Sequence, residues 1–149
     1  MNGTHLHIIV CHLPIAGSGF TVLLILFALF MKSKDLKKVS LWFAFITGLL
    51  ALAAYFTGEP AEGALMTLVP AITENMVEPH EGIAMFYLLA LLFIGFLSLA
   101  GLVLSRASEK VLHRFVIIVL ILNLSASFLA AKTSITGGKI RHTEMEIKH

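Results

Sequence analysis

The sequence predicts an all-α, polytopic membrane protein, a four-helix bundle with one short interfacial helix between its second and third spans. Three observations predict it. Of 149 residues, 58% are hydrophobic and 13% charged, and the mean hydropathy is +0.91; a fold of this size cannot bury so much apolar surface, so lipid has to cover the remainder. Four runs, 8–31, 39–57, 83–104 and 115–131, approach the roughly 20 residues that a helix needs to cross about 30 Å of hydrocarbon. None of the four contains Lys, Arg, Asp or Glu, and their continuity excludes the alternating segments of a transmembrane barrel. The chain reads as one domain over 1–149 with a polar tail from 132 to 149.

The first run carries no Lys or Arg before it and is too long for a signal-peptide core, so a retained helix is expected. The loop after it holds Lys32, Lys34, Lys37 and Lys38, and the loop between the third and fourth runs holds Arg106, Lys110 and Arg114. The N-terminus and the 58–82 connection hold no Lys or Arg, while the tail adds Lys132, Lys139, Arg141 and Lys148. The positive-inside bias therefore puts the two short loops in the cytoplasm and both termini outside, in a bacterial inner membrane. In the 58–82 connection, Gly58 suits the end of the second span and Pro60 the first turn of a new helix. Leu65, Leu68, Val69, Ile72 and Met76 recur at helical spacing, as in an amphipathic interfacial helix. Pro70 is expected to kink it and Pro79 to end it before His80.

The two halves resemble each other. His12 opens one hairpin and His80 the other; the first ends in Tyr55-Phe56-Thr57-Gly58-Glu59 and the second near Ile135-Thr136-Gly137-Gly138. Both halves start on the same side, the pattern of a parallel repeat about the membrane normal.

Polar groups gather at one end. His5, His7 and His12 lie at the start of the first span, Glu59 and Glu62 after the second, His80 and Glu81 before the third, and Arg141 and His142 beyond the fourth. Ionisable groups near hydrocarbon are costly and mark a functional site by default. His5 and His12 share a helical face, with Gly19 a further two turns along as a flat gap beneath His12; Gly48, Tyr55, Glu59 and Glu62 form a stripe if the second helix continues past Pro60, and His80 shares a face with Tyr87. The alternatives are ordinary: a helix-to-helix hydrogen bond for His12, capping of a helix N-terminus for His80-Glu81, surface positions for His5 and His7, solvated charges for Glu59 and Glu62. His113, beside Arg114, is expected to contact lipid headgroups. The glycines, among them Gly95 and Gly101, suit helix packing.

His12-Leu13-Pro14-Ile15, Thr57-Gly58-Glu59-x-x-Glu62, His80-Glu81 and Gly137-Gly138-x-Ile140-Arg141-His142 resemble the DUF2231-type family of small four-helix bacterial membrane proteins, with Leu13 where the family more often has Phe. The resemblance implies a redox setting, because relatives are joined to or placed beside Rieske and c-type cytochrome modules, an association and not a mechanism.

Several functions follow as expectations. The first is electron transfer by a b-type haem at the outer face, with His12 and His80 as axial ligands and Arg141 pairing a propionate. The second is a non-haem iron, copper or zinc site drawn from His5, His7, His12, Glu59, Glu62, His80, Glu81 and His142, a ligand set too nitrogen-rich for calcium. The third is a non-enzymatic accessory subunit of a respiratory complex, or one that docks a periplasmic redox protein. Transport is the weakest, since Ser98, Asn123, Ser125 and Ser127 make no charged relay through the later spans. A lone Cys11 excludes an internal disulfide and CxxC chemistry, and a net charge of +2 without a basic stripe argues against nucleic acid.

Overall fold

The computed structural model describes residues 3–69 and 72–141. In order these form α1 (Gly3–Phe30), α2 (Lys34–Phe56), α3 (Gly58–Leu68), α4 (Glu74–Leu104), a 3-10 turn (Ser105–Ala107) and α5 (Glu109–Arg141), with no strand among the described residues. Four stretches, Gly3–Phe30, Lys34–Leu68, Glu74–Leu104 and Glu109–Ile140, are long and apolar enough to cross a membrane. The all-α, four-span expectation therefore holds. Each helix outruns its uncharged stretch, because polar turns extend it at either end. Ser33, for example, caps α2 by accepting the Leu36 N–H, with Asp35 in the first turn.

Three local expectations need correction. Pro79 does not end a helix; it lies inside α4, where its missing N–H removes one backbone bond near the helix end and the rest of the ladder persists. His80 and Glu81 consequently sit well inside α4 rather than capping it, and Glu74 occupies the first turn. Residues 132–141, expected as the start of a tail, continue α5. Pro70 lies outside the described residues. The apolar positions of the 58–82 connection are divided between α3 and the approach to α4: Leu65 and Met66 pack on Ile72, Val77 and Ile140 as a small cluster apart from the main core.

The main core runs along the bundle axis through Ile25, Leu41, Leu91, Ile94, Leu112 and Val116. α1 packs on α2, α2 on α4 and α4 on α5, while α1 meets α5 more thinly. Glycine permits a close crossing of α2 and α4: a Cβ on Gly48 would lie 2.8 Å from the Leu91 carbonyl oxygen. The outward surface is apolar, with Phe30 81% and Phe96 71% exposed, as suits helices solvated by lipid. Buried hydroxyls turn back onto their own helices, as Thr21 does to Gly17 and Ser98 to Ile94, and no buried side-chain polar atom among the described residues lacks a partner.

The two hairpins share one burial pattern. The shift that carries His7 onto His80 also carries buried Pro14, Ser18, Thr21, Ile25 and Ala28 onto buried Tyr87, Leu91, Ile94, Ser98 and Gly101. In the second helix of each hairpin, the shift from Thr57 to Thr136 carries buried Lys37, Ser40, Ala44, Thr47 and Ala51 onto buried Val116, Val119, Asn123, Ala126 and Ala130. The repeat is thus present in the packing, but the counterpart of His80 is His7, not His12.

Candidate functional site

The N-terminal ends of α1 and α4 and the C-terminal ends of α2 and α5 come together at one end of the bundle, with α3 folded over them. Thr4 donates to the Ala61 carbonyl at 3.3 Å, and a Cβ on Gly3 would meet the Pro60 carbonyl oxygen at 2.8 Å. These contacts seat α3 directly on α1. Between the helices lies a cavity of about 720 Å³ that His7, His80, Glu62 and Glu81 line together with apolar residues of all five helices. Tyr87 closes its floor: buried, it donates to the Pro14 carbonyl at 3.1 Å and sits 3.0 Å from the Ser18 hydroxyl. That hydroxyl ties the first hairpin to the second.

Two imidazoles face the cavity from opposite hairpins. His7 Nδ1 is 3.0 Å from the Thr57 hydroxyl, with the Ala54 carbonyl also turned toward the ring. His80 Nδ1 is 3.1 Å from both the Thr136 hydroxyl and the Thr133 carbonyl. The bonding assigns the tautomer of each ring. A carbonyl only accepts, and each threonine already donates its single proton to its own helix: Thr57 to Ala53 or Ala54, Thr136 to Lys132 or Thr133. The Thr133 carbonyl therefore makes Nδ1 of His80 the donor, and with Thr57 bonded to its own helix Nδ1 of His7 donates likewise, so that in the neutral form Nε2 of each ring is a lone pair. Each ring also lies over the glycine that follows its threonine. A Cβ on Gly58 would be 3.7 Å from His7 Cε1, and one on Gly137 3.0 Å from His80 Cε1. The two imidazoles are close enough to interact electrostatically.

The other expected residues fall around this pair. His12 is exposed at the lip of the cavity, its Nδ1 bonded to the Ile8 carbonyl of its own helix. Gly19 shares that outward face, and a Cβ there would meet nothing within 4 Å; it offers no slot beneath the ring, because the inward stripe of α1 runs through Pro14, Ser18 and Thr21 instead. The stripe on α2 is broken at Thr57: Gly48 is buried, Tyr55 and Glu59 are exposed and Glu62 is partly buried on α3. Glu62 sits against Glu81, with Glu74 and Glu59 further round the rim. His5 is exposed in the first turn of α1. Arg141 ends α5, and His142 lies outside the described residues. Among the described residues no three His, Cys, Asp or Glu side chains are grouped so as to hold a metal ion. What the sequence alone did not single out is the partnership of each histidine with a Thr-Gly pair at the end of the same hairpin; the repeated Thr-Gly dipeptide was its one visible trace.

Comparisons with protein-family models, with curated proteins and with solved structures match nothing to this chain.

Proposed function

We propose that this is a redox-associated inner-membrane protein in which His7 and His80 hold a b-type haem within the cavity, in an electron-transfer role. The observation that carries the reading is the pair of imidazoles, one from each hairpin, oriented through Nδ1 with Nε2 left as a lone pair in a shared cavity. Outer partners that fix the tautomer are what a metal-ligating histidine requires. A bare ion asks for three or four protein ligands, whereas a porphyrin brings four nitrogens of its own and asks for two imidazoles at most. The volume lies within the roughly 300–1,000 Å³ usual for ligand sites, and the lining is mostly apolar.

His12 moves from axial ligand to rim in this reading, and Arg141, at the end of α5, stays the candidate partner for a propionate. When bound, haem supplies a one-electron couple. The chain's own residues orient the two rings (Thr57, Thr136 and Thr133), close the floor against water (Tyr87) and place carboxylates at the mouth (Glu62, Glu81). The positive-inside bias puts this end outside the cytoplasm, with α3 in the interface, where a periplasmic redox protein or a respiratory-complex subunit has access. The motif resemblance to the DUF2231-type family is compatible with that setting.

The test is a reduced-minus-oxidised visible spectrum of the full chain in mild detergent, with metal analysis of the same sample. Sharp haem bands at about one haem per chain are expected, abolished by His7→Ala and by His80→Ala and retained by His12→Ala. Stoichiometric iron, copper or zinc without haem would replace this reading with the non-haem site built on the same histidines and Glu62 and Glu81. Neither, even after incubation with haem, would leave the accessory subunit.

A further inference from the structure

The opposite end of the bundle holds a second concentration of charge, unconnected with the cavity. Lys37 lies on the first turn but one of α2, its side chain only 8% exposed, and its ammonium is 3.6 Å from Glu109, whose side chain is 54% exposed. That is well beyond the roughly 2.7–2.9 Å of a charge-assisted hydrogen bond. The stem of Lys37 is buried, and its ammonium, held by a single loose, half-solvated carboxylate, reaches the surface there. The Lys37 ammonium opens onto a shallow depression of about 600 Å³ shared with Lys110, His113 and Arg114. Three full cations thus meet one carboxylate. Both α2 and α5 begin here, so the positive ends of two helix dipoles add to the same potential.

We infer that this depression binds a phosphate-ester anion and that its occupant is the headgroup of an anionic lipid. What complements this cationic lining is an acceptor with several oxygens and a negative charge. A phosphodiester supplies both, pairing with the fork of Arg114 while accepting from Lys37 and Lys110. A headgroup is favoured over free phosphate by position. The depression lies at the ends of four apolar spans, at the depth where headgroups lie, and basic pockets between transmembrane helices bind such lipids. The inference does not depend on the contents of the cavity at the other end.

Native mass spectrometry of the full chain in detergent tests it, with phosphatidylglycerol, phosphatidylcholine and inorganic phosphate titrated separately. One phosphatidylglycerol per chain is expected to persist where phosphatidylcholine dissociates. In the Lys110→Gln, Arg114→Gln double variant, whose changes are superficial, its affinity should fall roughly 10- to 30-fold. Lys37→Gln should do the same, but the double variant decides the matter if that buried change impairs folding. If inorganic phosphate competes with the lipid at the same site, the phosphate group is the recognised element; if it does not, the acyl chains contribute. Equal retention of the two lipids, or no loss in the double variant, would overturn the inference.

Discussion

The two hairpins hold their histidines by the same device and to different tightness. In the second, His80 is bonded to both a hydroxyl and a main-chain carbonyl, and the glycine beneath it leaves almost no spare room. In the first, His7 has the hydroxyl of Thr57 with the carbonyl of Ala54 turned toward the ring, and Gly58 lies 0.7 Å more distant by the same measure, 3.7 against 3.0 Å. A carbonyl in a helix cannot rotate away as a hydroxyl can. The difference teaches that one imidazole is a fixed wall of the cavity and the other an adjustable one, an arrangement that admits a ligand without losing its alignment.

The largest expected effect tests whether the halves are equivalent at all. His7→Ala and His80→Ala should each remove bound haem entirely, read from the reduced spectrum; persistence of a low-affinity, single-histidine species in only one of them would show that the halves are unequal as ligands. Next comes a pair of opposite sign. Gly137→Ala pushes a methyl into the His80 ring and should weaken cofactor retention, at a cost of about 1–3 kcal/mol for an overpacked site. Gly58→Ala makes only an ordinary van der Waals contact with the His7 ring, at 3.7 Å, and should be neutral or stabilise the helix by up to about 1 kcal/mol. Thermal melts in detergent together with cofactor occupancy separate the two.

A smaller contrast follows from the hydroxyls. Thr57→Val leaves His7 with only the Ala54 carbonyl, whereas Thr136→Val leaves His80 its 3.1 Å bond to Thr133. The first should cost about 1 kcal/mol, or about fivefold in cofactor affinity, and the second distinctly less. Equal losses would mean that the Ala54 carbonyl already serves His7 as fully as Thr133 serves His80. The smallest effect lies at the far end, where only the first hairpin has a left-handed residue in its turn. Lys32 has φ 51°, with Ser33 N–H bonded to Ala28 and Lys32 N–H to Leu29 in the manner of a Schellman cap. Lys32→Gly should raise stability by about 0.5–1 kcal/mol in the same melts.

Hydropathy made the spans legible because lipid imposes one rule, uncharged length, that can be counted along the chain. The helix ends were not legible to the same degree. Pro79 reads as a stop, yet one missing N–H does not unwind a helix whose other bonds remain, and no residue near 132 forbids α5 from continuing. Within the site, the convergence of His7, His80, Glu62 and Glu81 at one end followed from an even number of crossings. Choosing His7 over His12 needed something that spacing does not contain: which stripe of α1 faces inward. Two neighbouring histidines on an apolar helix differ by half a turn, and only the contacts through Pro14, Ser18 and Thr21 decide between them. The Lys37–Glu109 pair was equally hidden, because it joins the starts of two helices that are far apart in sequence.

Every bond that orients His7 is made within the first hairpin, and every bond that orients His80 within the second. Synthesis and insertion proceed from the N-terminus, so the bonds that orient the first ring are all available before the second hairpin enters the membrane. The later hairpin arrives with its own ring already set, and the Tyr87 hydroxyl then registers one against the other. The site accordingly matures by docking of two finished parts, and a chain stalled between them would carry half a site that is correctly shaped and unable to bind.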